Sequence, residues 1–331
     1  MVAQLDISYV KHRPWKLWSR LISYLFFEGR PITTKGRFIN PALFLFFKLL
    51  KAVPIYRITD NPIFIIGMGR SGTTILGKVL SMHKDVGYLN EPKAMWHSIY
   101  PNEDLVGNYS LNNASYKLGP NDATENIENA ANKLYCCYKF FSLSKRVVDK
   151  YPEMVFRVRF LMKIFPSAKF VFLVRNGYDT CGSIDNWSKA FGNETNSSKE
   201  DWWGLDNRKW NYLISQIATG NPFFSNHVRK MKTWSSHLDK SAVEWTLSMQ
   251  EGVNLMNDFP ETILRLNYEE LCEEPKQKLC EMSDFLDLSY DQTFIDYGKE
   301  VLKPVKRNYN INFHPLVKIA FDETMQSLGY E

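Results

Sequence analysis

Residues 62–76 read Pro62-Ile-Phe-Ile-Ile-Gly-Met-Gly-Arg-Ser-Gly-Thr-Thr-Ile-Leu76. Ile63 to Ile66 form an unbroken apolar run, the pattern of a parallel strand buried on both faces. The run ends in a glycine-rich turn, Gly67 to Gly72, after which Ile75, Leu76, Val79 and Leu80 recur at helical spacing. A strand, a glycine turn and a helix start together make an anion cradle. Glycines admit close approach of the backbone, and the free N–H groups and helix dipole face the ligand. The expected ligand is a phosphate or a close chemical relative of one.

What the turn lacks narrows the chemistry. A nucleotide-hydrolysing P-loop reads Gly-x-x-x-x-Gly-Lys-Ser/Thr. Gly67 and Gly72 fit, but Thr73 holds the lysine position, Thr74 follows it, and the loop's cation, Arg70, precedes the second glycine. The segment Gly-Met-Gly-Arg-Ser-Gly-Thr-Thr resembles the 5′-phosphosulfate loop of sulfotransferases that use 3′-phosphoadenosine-5′-phosphosulfate (PAPS), usually Pro-Arg/Lys-Ser-Gly-Thr-Thr. Gly69 stands where that proline often does.

Three further blocks follow in the family's order. Lys169-Phe-Val-Phe-Leu-Val174 is a second buried-strand candidate, followed by Arg175 and, on the next helix, Ser183. A guanidinium fork and a hydroxyl from the helix start suit a phosphate, and the resemblance implies that this pair holds the 3′-phosphate of PAPS. Gly177 replaces the proline usual after that strand, which leaves a more flexible loop as the expectation. Thr262 to Pro275 resembles the strand ending in Tyr-Glu-Asp/Glu-Leu, which implies that Tyr268 contacts the adenine; an amphipathic tyrosine at a core edge reads equally well. Val301-Leu-Lys-Pro-Val305 resembles a C-terminal segment of tyrosylprotein-type sulfotransferases, which implies that Lys303 reaches the cofactor. The resemblance spans about residues 61–305 and lies closer to tyrosylprotein and bacterial-type sulfotransferases than to cytosolic ones. It implies cofactor contacts from Gly69, Arg70, Ser71, Gly72, Thr73, Thr74, Arg175, Ser183, Tyr268 and Lys303, with PAPS as donor and PAP (3′-phosphoadenosine-5′-phosphate) as product.

Sulfuryl transfer parallels phosphoryl transfer, with in-line attack by an acceptor oxygen. Charge growing on the leaving oxygens calls for a cation and donors, which Arg70, Ser71, Thr73 and Thr74 supply. A sulfuryl group carries less charge than a phosphoryl group, so no metal is expected. The acceptor's proton needs a base. Glu91 ends the short apolar segment Val86–Leu89 and its Asn-Glu-Pro tail, and tyrosylprotein and many bacterial-type sulfotransferases look similar there. Cytosolic sulfotransferases use a histidine in a Lys-Thr-His segment, and the comparable Phe156-Arg157-Val158-Arg159 has none. Glu91 is therefore the expected base, with His97 behind it.

Length and composition set wider bounds. A chain of 331 residues with 44% hydrophobic content can build one large α/β domain or two smaller ones. The net charge of +5 is too small and too scattered to argue for nucleic acid. An odd count of five cysteines, without a Cys-x-x-Cys pair or Cys/His cluster, suggests a reducing compartment and no structural zinc. No signal peptide is evident. Cytoplasmic location is the expectation, and the Asn-x-Ser/Thr sequons, including Asn108 and Asn186, do not argue otherwise.

Residues 41–50 are apolar but too short to span a membrane. Residues 11–30 mix Lys11, Arg13, Lys16 and Arg20 with Trp15, Trp18, Leu21, Tyr24, Phe26 and Phe27. The simpler reading is a helix packed on the domain, and the alternative is one lying on a membrane surface. The expected division is an N-terminal helical extension, residues 1–60, packed on a sulfotransferase domain, residues 61–331.

Apolar strands alternating with helical patterns imply an α/β fold, a central parallel sheet flanked by helices of the P-loop-NTPase-like kind. Ligands of such sheets sit beyond the C-terminal strand ends. Gly67–Thr74, Glu91, Arg175 and Tyr268 all follow strand ends, so they are expected to share one site. The regions 98–150 and 190–240 match no pattern. In the second, Trp202, Trp203 and Trp210 mix with Glu200, Asp201 and Asp206. They read as a helix with core tryptophans and a solvated acidic face, or as the lining of a pocket for a cationic or sugar-like acceptor.

The function expected is transfer of the sulfuryl group of PAPS to a hydroxyl or amine of an acceptor, a small molecule or natural product. The competing readings are a degenerate P-loop kinase or NTPase and a catalytically inactive nucleotide-binding scaffold.

Overall fold

The computed structural model describes residues 4–29, 40–54, 61–194, 199–304 and 311–330. Its strands are β1 (Ile63–Gly67), β2 (Val86–Asn90), β3 (Arg146–Lys150), β4 (Lys169–Val174), β5 (Asn193–Glu194), β6 (Lys199–Asp201), β7 (Gly204–Leu205) and β8 (Ile263–Asn267). Five of them form a parallel sheet in the order β2-β3-β1-β4-β8. The fold is α/β, a central parallel sheet flanked by helices, with the P-loop-like strand–loop–helix at its centre.

The continuous apolar runs follow from burial on both faces. Phe64, Ile66, Phe170 and Phe172 pack with helices Glu125–Phe141, His237–Asp258 and Pro315–Ser327. Ile63, Ile65, Val171 and Leu173, on the opposite face, pack with helices Thr73–Ser81, Pro275–Phe285 and Gln292–Val301.

Strand β3 has no counterpart in the sequence reading. Its five residues, Arg-Val-Val-Asp-Lys, include two apolar ones, yet it lies between β2 and β1. Its polar end is buried and put to use: Asp149 accepts hydrogen bonds from the Trp96 indole (2.9 Å) and the Tyr135 hydroxyl, tying two helices to the sheet. Burial pushes the Asp149 carboxyl up to about 7, against those hydrogen bonds and the nearby Lys150 ammonium.

The N-terminal residues pack through their cations. Helices Ile7–His12 and Lys16–Ile22 lead into a π-helical turn, Ser23–Phe27. Arg13 forms two 2.7 Å hydrogen bonds to Asp291, Lys16 donates to the Val86 carbonyl (2.5 Å), and Arg20 bridges Glu28 (2.7 Å) and the Tyr88 carbonyl (2.6 Å). Among the described residues no helix is long and apolar enough to cross a membrane.

Asp149 gives a pH test of this core. A carboxyl whose value is raised on folding favours the native state fully below its unfolded value near 4 and loses that contribution as pH rises towards 7. Asp149→Asn keeps one oxygen to accept both hydrogen bonds and never ionises. Urea midpoints of the variant are expected to fall less between pH 4 and 7 than those of the native chain, and to be no lower at pH 8.

Candidate active site

Strand register gathers the site. Gly67 lies beside Leu173, Asn90 beside Lys150, and Val174 beside Asn267, so the loops after these strands emerge on one edge. Gly67 is at φ +139°, and a Cβ there would stand 2.6 Å from the Leu173 carbonyl oxygen. Only glycine allows the loop to leave the sheet this way. Arg70 (φ +69°) and Gly72 (φ +92°) complete the turn. Helix Thr73–Ser81 starts with no side-chain cap and no acidic residue in its first turn, which leaves its N–H groups open to an anion. Ser71 is fully buried, and its hydroxyl has no partner among the described residues. Thr73 is buried, whereas Thr74 is exposed.

Most of the residues expected around this loop meet there. Arg70 Nε donates to Ser183 Oγ (3.1 Å), and Arg175 Nη1 donates to the Arg70 carbonyl (3.1 Å). The Arg175 guanidinium lies 4.8 Å from the centre of the Tyr268 ring and 3.6 Å from Asp179, and its buried Nε has no partner among the described residues. That ring also fills the place a Gly72 side chain would take, 2.3 Å from the Cβ position. Burial and the neighbouring Arg175 both lower the pKa of Arg70, with Glu91 opposing them. Two cations held this close to an open helix start make a site that favours an anion.

Some details differ from expectation. Ser183 sits in the second turn of helix Gly177–Phe191, not at its start. Gly177 does not loosen its loop. It is a buried first helical residue, and a Cβ there would stand 2.5 Å from the Phe321 ring. Lys303 is exposed and turns its ammonium back to the Lys299 carbonyl (3.1 Å).

On the other side of the loop lies a cavity of about 720 Å³, whose lining includes Gly69, Glu91, Lys93, Trp187, Trp202 and Lys209. Glu91 occupies the left-handed region at φ +51°, a costly conformation for a non-glycine residue that its surroundings enforce. Its amide donates to the Lys150 carbonyl (2.7 Å), and its carboxylate pairs with the buried Lys150 ammonium. Lys93 is 4.0 Å away. His97 stacks on Tyr109, with ring centres 5.1 Å apart, and burial lowers its pKa.

The tryptophan cluster is not a helix. Trp202 and Trp203 occupy the turn between β6 and β7, while Trp210 lies on helix Arg208–Tyr212. Trp203 and Trp210 are core, but Trp202, Glu200 and Asp201 line the cavity. Trp202 leans on the phosphate loop, where a Gly69 Cβ would stand 2.4 Å from its ring. Its indole donates to Glu244 (2.9 Å), and the Lys209 ammonium lies 4.7 Å from the ring centre. Lys209 in turn bridges Glu153 (3.1 Å) and Glu244 (2.6 Å). Burial alone would lower Lys209, but the two carboxylates hold it above its ordinary value. Lys209 and Lys93 bring Glu153 down to about 2 against the cost of burial.

Sequence reasoning missed Lys150, Glu153, Trp187 and Lys209. None belongs to a motif, and each is set by packing.

A parallel sheet that gathers a glycine-rich loop, two arginines and a carboxylate beside a partly open cavity defines an α/β protein with its candidate site at the strand ends. Residues 62–292 match the sulfotransferase family profile, and the chain belongs to the sulfotransferase family. Two curated relatives extend the likeness. An uncharacterized protein of Aquifex aeolicus is 26% identical over 75% of this chain and 28% of its own length. Protein-tyrosine sulfotransferase A of Caenorhabditis elegans is 22% identical over 80% of this chain and 62% of its own. The chain thus spans 28% and 62% of the length of these two relatives, less than two thirds of each. The sulfotransferase domain from the curacin biosynthetic pathway superposes with a TM-score of 0.48 at 14% identity, covering 83% of this chain and 99% of that domain.

Lys209→Met leaves two buried carboxylates facing each other, a change expected to cost about 3–5 kcal/mol at pH 7. The sign with pH should reverse. In the native chain the depressed Glu153 contributes stability above the usual carboxylate range, and this is lost only as pH falls towards about 2. In the variant, protonation relieves repulsion, so urea midpoints should rise from pH 7 to pH 5.

Proposed function

We propose that this chain is a PAPS-dependent sulfotransferase acting on a hydroxyl or amine of a small-molecule acceptor. One observation carries the reading: the Arg70–Ser183–Arg175 cluster and open helix start lie on one side of the loop, and Glu91 with Lys150 faces a cavity on the other. The donor fits the residues present. Ser71 Oγ and Arg175 Nε are buried donors in want of an acceptor, and two anionic groups on one nucleotide would meet two arginines.

PAPS, when bound, supplies the sulfuryl group and the nucleotide phosphate that leaves. Gly69, Ser71, Gly72, Thr73 and Thr74, with Arg70, hold the phosphosulfate end and meet the charge that grows on it. Arg175 and Ser183 take the 3′-phosphate and Tyr268 the adenine. Lys303 is assigned on the family resemblance alone. Glu91 accepts the acceptor's proton at its carboxylate, and Lys150 positions that carboxylate through the buried ion pair. The cavity volume falls within the range of about 300–1,000 Å³ typical of small-molecule sites. Trp187 and Trp202 form its aromatic wall.

Thermal unfolding tests the donor. PAP at a hundred times its dissociation constant should stabilise the chain by about 2.7 kcal/mol. ATP and AMP should do much less, and Arg175→Ala should abolish the response. An equal response to ATP overturns the assignment.

Glu91→Gln tests the base separately. The variant should retain PAP stabilisation and lose turnover by about a hundredfold or more. Native turnover would move the base elsewhere.

A further inference from the structure

The N-terminal segment is turned inside out relative to an ordinary surface helix. Arg13, Lys16 and Arg20 point into the protein, while Trp15 and Trp18 are each 55% exposed. Leu21, Leu25 and Phe26 continue the outward stripe at helical spacing. The Phe26 ring meets Phe46 (5.9 Å) on helix Asn40–Ala52, whose Leu45 and Leu49, one turn apart, are also exposed. On the other flank the Trp18 indole donates to the Phe141 carbonyl (2.9 Å) at the end of helix Glu125–Phe141, where Phe140 and Leu143 are 74% and 77% exposed. Three separate stretches of chain thus carry exposed large apolar side chains beside one another, the kind of patch that marks an interaction surface.

We propose that this surface docks on the interface of an anionic lipid bilayer. Charge selects this occupant. Among the described residues of 7–29, 40–54 and 129–145 there is one carboxylate, Glu28, and it is buried against Arg20. Lys11 and Lys48 are exposed, Lys139 is half-buried, and Lys145 is exposed beside Asp85. A cationic rim around exposed tryptophan, phenylalanine and leucine is the composition of a segment that lies in a membrane interface. A second copy of the chain, related by a two-fold axis, would set the same cations against each other. Tyr24 and Glu28, from the same turn as Leu25 and Phe26, line the cavity beside Glu91, so docking brings that cavity next to the lipid.

The test is co-sedimentation of the full chain with phosphatidylcholine vesicles carrying about 30 mol% phosphatidylglycerol, against pure phosphatidylcholine. The native chain should partition onto the anionic vesicles roughly tenfold or more better than onto the neutral ones, and added salt should weaken it. Leu45→Glu with Leu49→Glu should lower partitioning at least about tenfold while thermal unfolding is unchanged. Phe140→Glu with Leu143→Glu, at the end of a different helix and in the turn after it, should do the same and serves if the first pair disturbs folding. Lys48→Glu should cost roughly fivefold on anionic vesicles only. No partitioning, equal partitioning onto neutral vesicles, or a dimer in sedimentation equilibrium that the Leu45 and Leu49 substitutions split would each overturn the proposal.

Discussion

The pairing of β1 with β4 is the constraint on which the rest of the site depends. It sets Gly67 against Leu173 so closely that the carbonyl oxygen occupies the space of a side chain. The chain must turn there through positive φ, which throws the loop over the sheet edge and points the start of helix Thr73–Ser81 at the space beyond. The same pairing delivers Arg175 to the back of the loop, where it binds the Arg70 carbonyl. Arg70 is thereby held at φ +69° with its side chain on Ser183. One strand pair thus fixes the loop from both sides and keeps two guanidiniums close, Arg175 also paired with Asp179 (3.6 Å).

Buried charge does the corresponding job on the cavity side. An unpaired buried ion is expensive, so each one present dictates where its partners stand. Lys150 is buried and must have Glu91, which holds that carboxylate at the cavity edge despite a strained backbone. Lys209 is buried and must have Glu153 and Glu244, and Glu244 in turn takes the Trp202 indole. These pairs add little net stability, because desolvation offsets most of the attraction. They exchange it for orientation: the carboxylate and the aromatic wall each have one low-energy place to be.

Legibility in the sequence follows the same division. The loop at 67–74, the strand before Arg175 and the strand before Tyr268 are contiguous, and local chemistry dictates each, so the parallel sheet and the meeting of these segments at one edge could be read directly. Strand β3 could not, because its two valines are too few to show a period and its Asp149 and Lys150 look like surface residues until Trp96, Tyr135 and Glu91 are placed around them. Lys150 and Glu91 are 59 residues apart, and no spacing rule joins them. The tryptophan cluster misled for a related reason. Helical periodicity and a tight turn between two short strands look alike when three tryptophans and three acids fall within residues 200–210, and only packing on Gly69 separates Trp202 from its core neighbours.

The N-terminal segment shows why amphipathic patterning alone does not fix which face turns inward. Hydrophobic burial would put Trp15, Trp18 and Leu21 against the core. The adjoining edge strand instead presents the carbonyls of Val86 and Tyr88, and the helix ends beside it present the Met82 carbonyl and Asp291; these want donors. Arg13, Lys16 and Arg20 satisfy them, and a buried carbonyl or carboxylate left without a partner would cost about as much as exposing an apolar side chain. With the cations committed inward, the helix has no way to hide its aromatic stripe. Glu28, held by Arg20 at the end of this segment, donates its reverse side to the cavity wall and accepts the Asn90 amide next to Glu91 (2.9 Å). The outward apolar face and the inward cavity wall are therefore two sides of one segment, tied to the sheet by the same arginine.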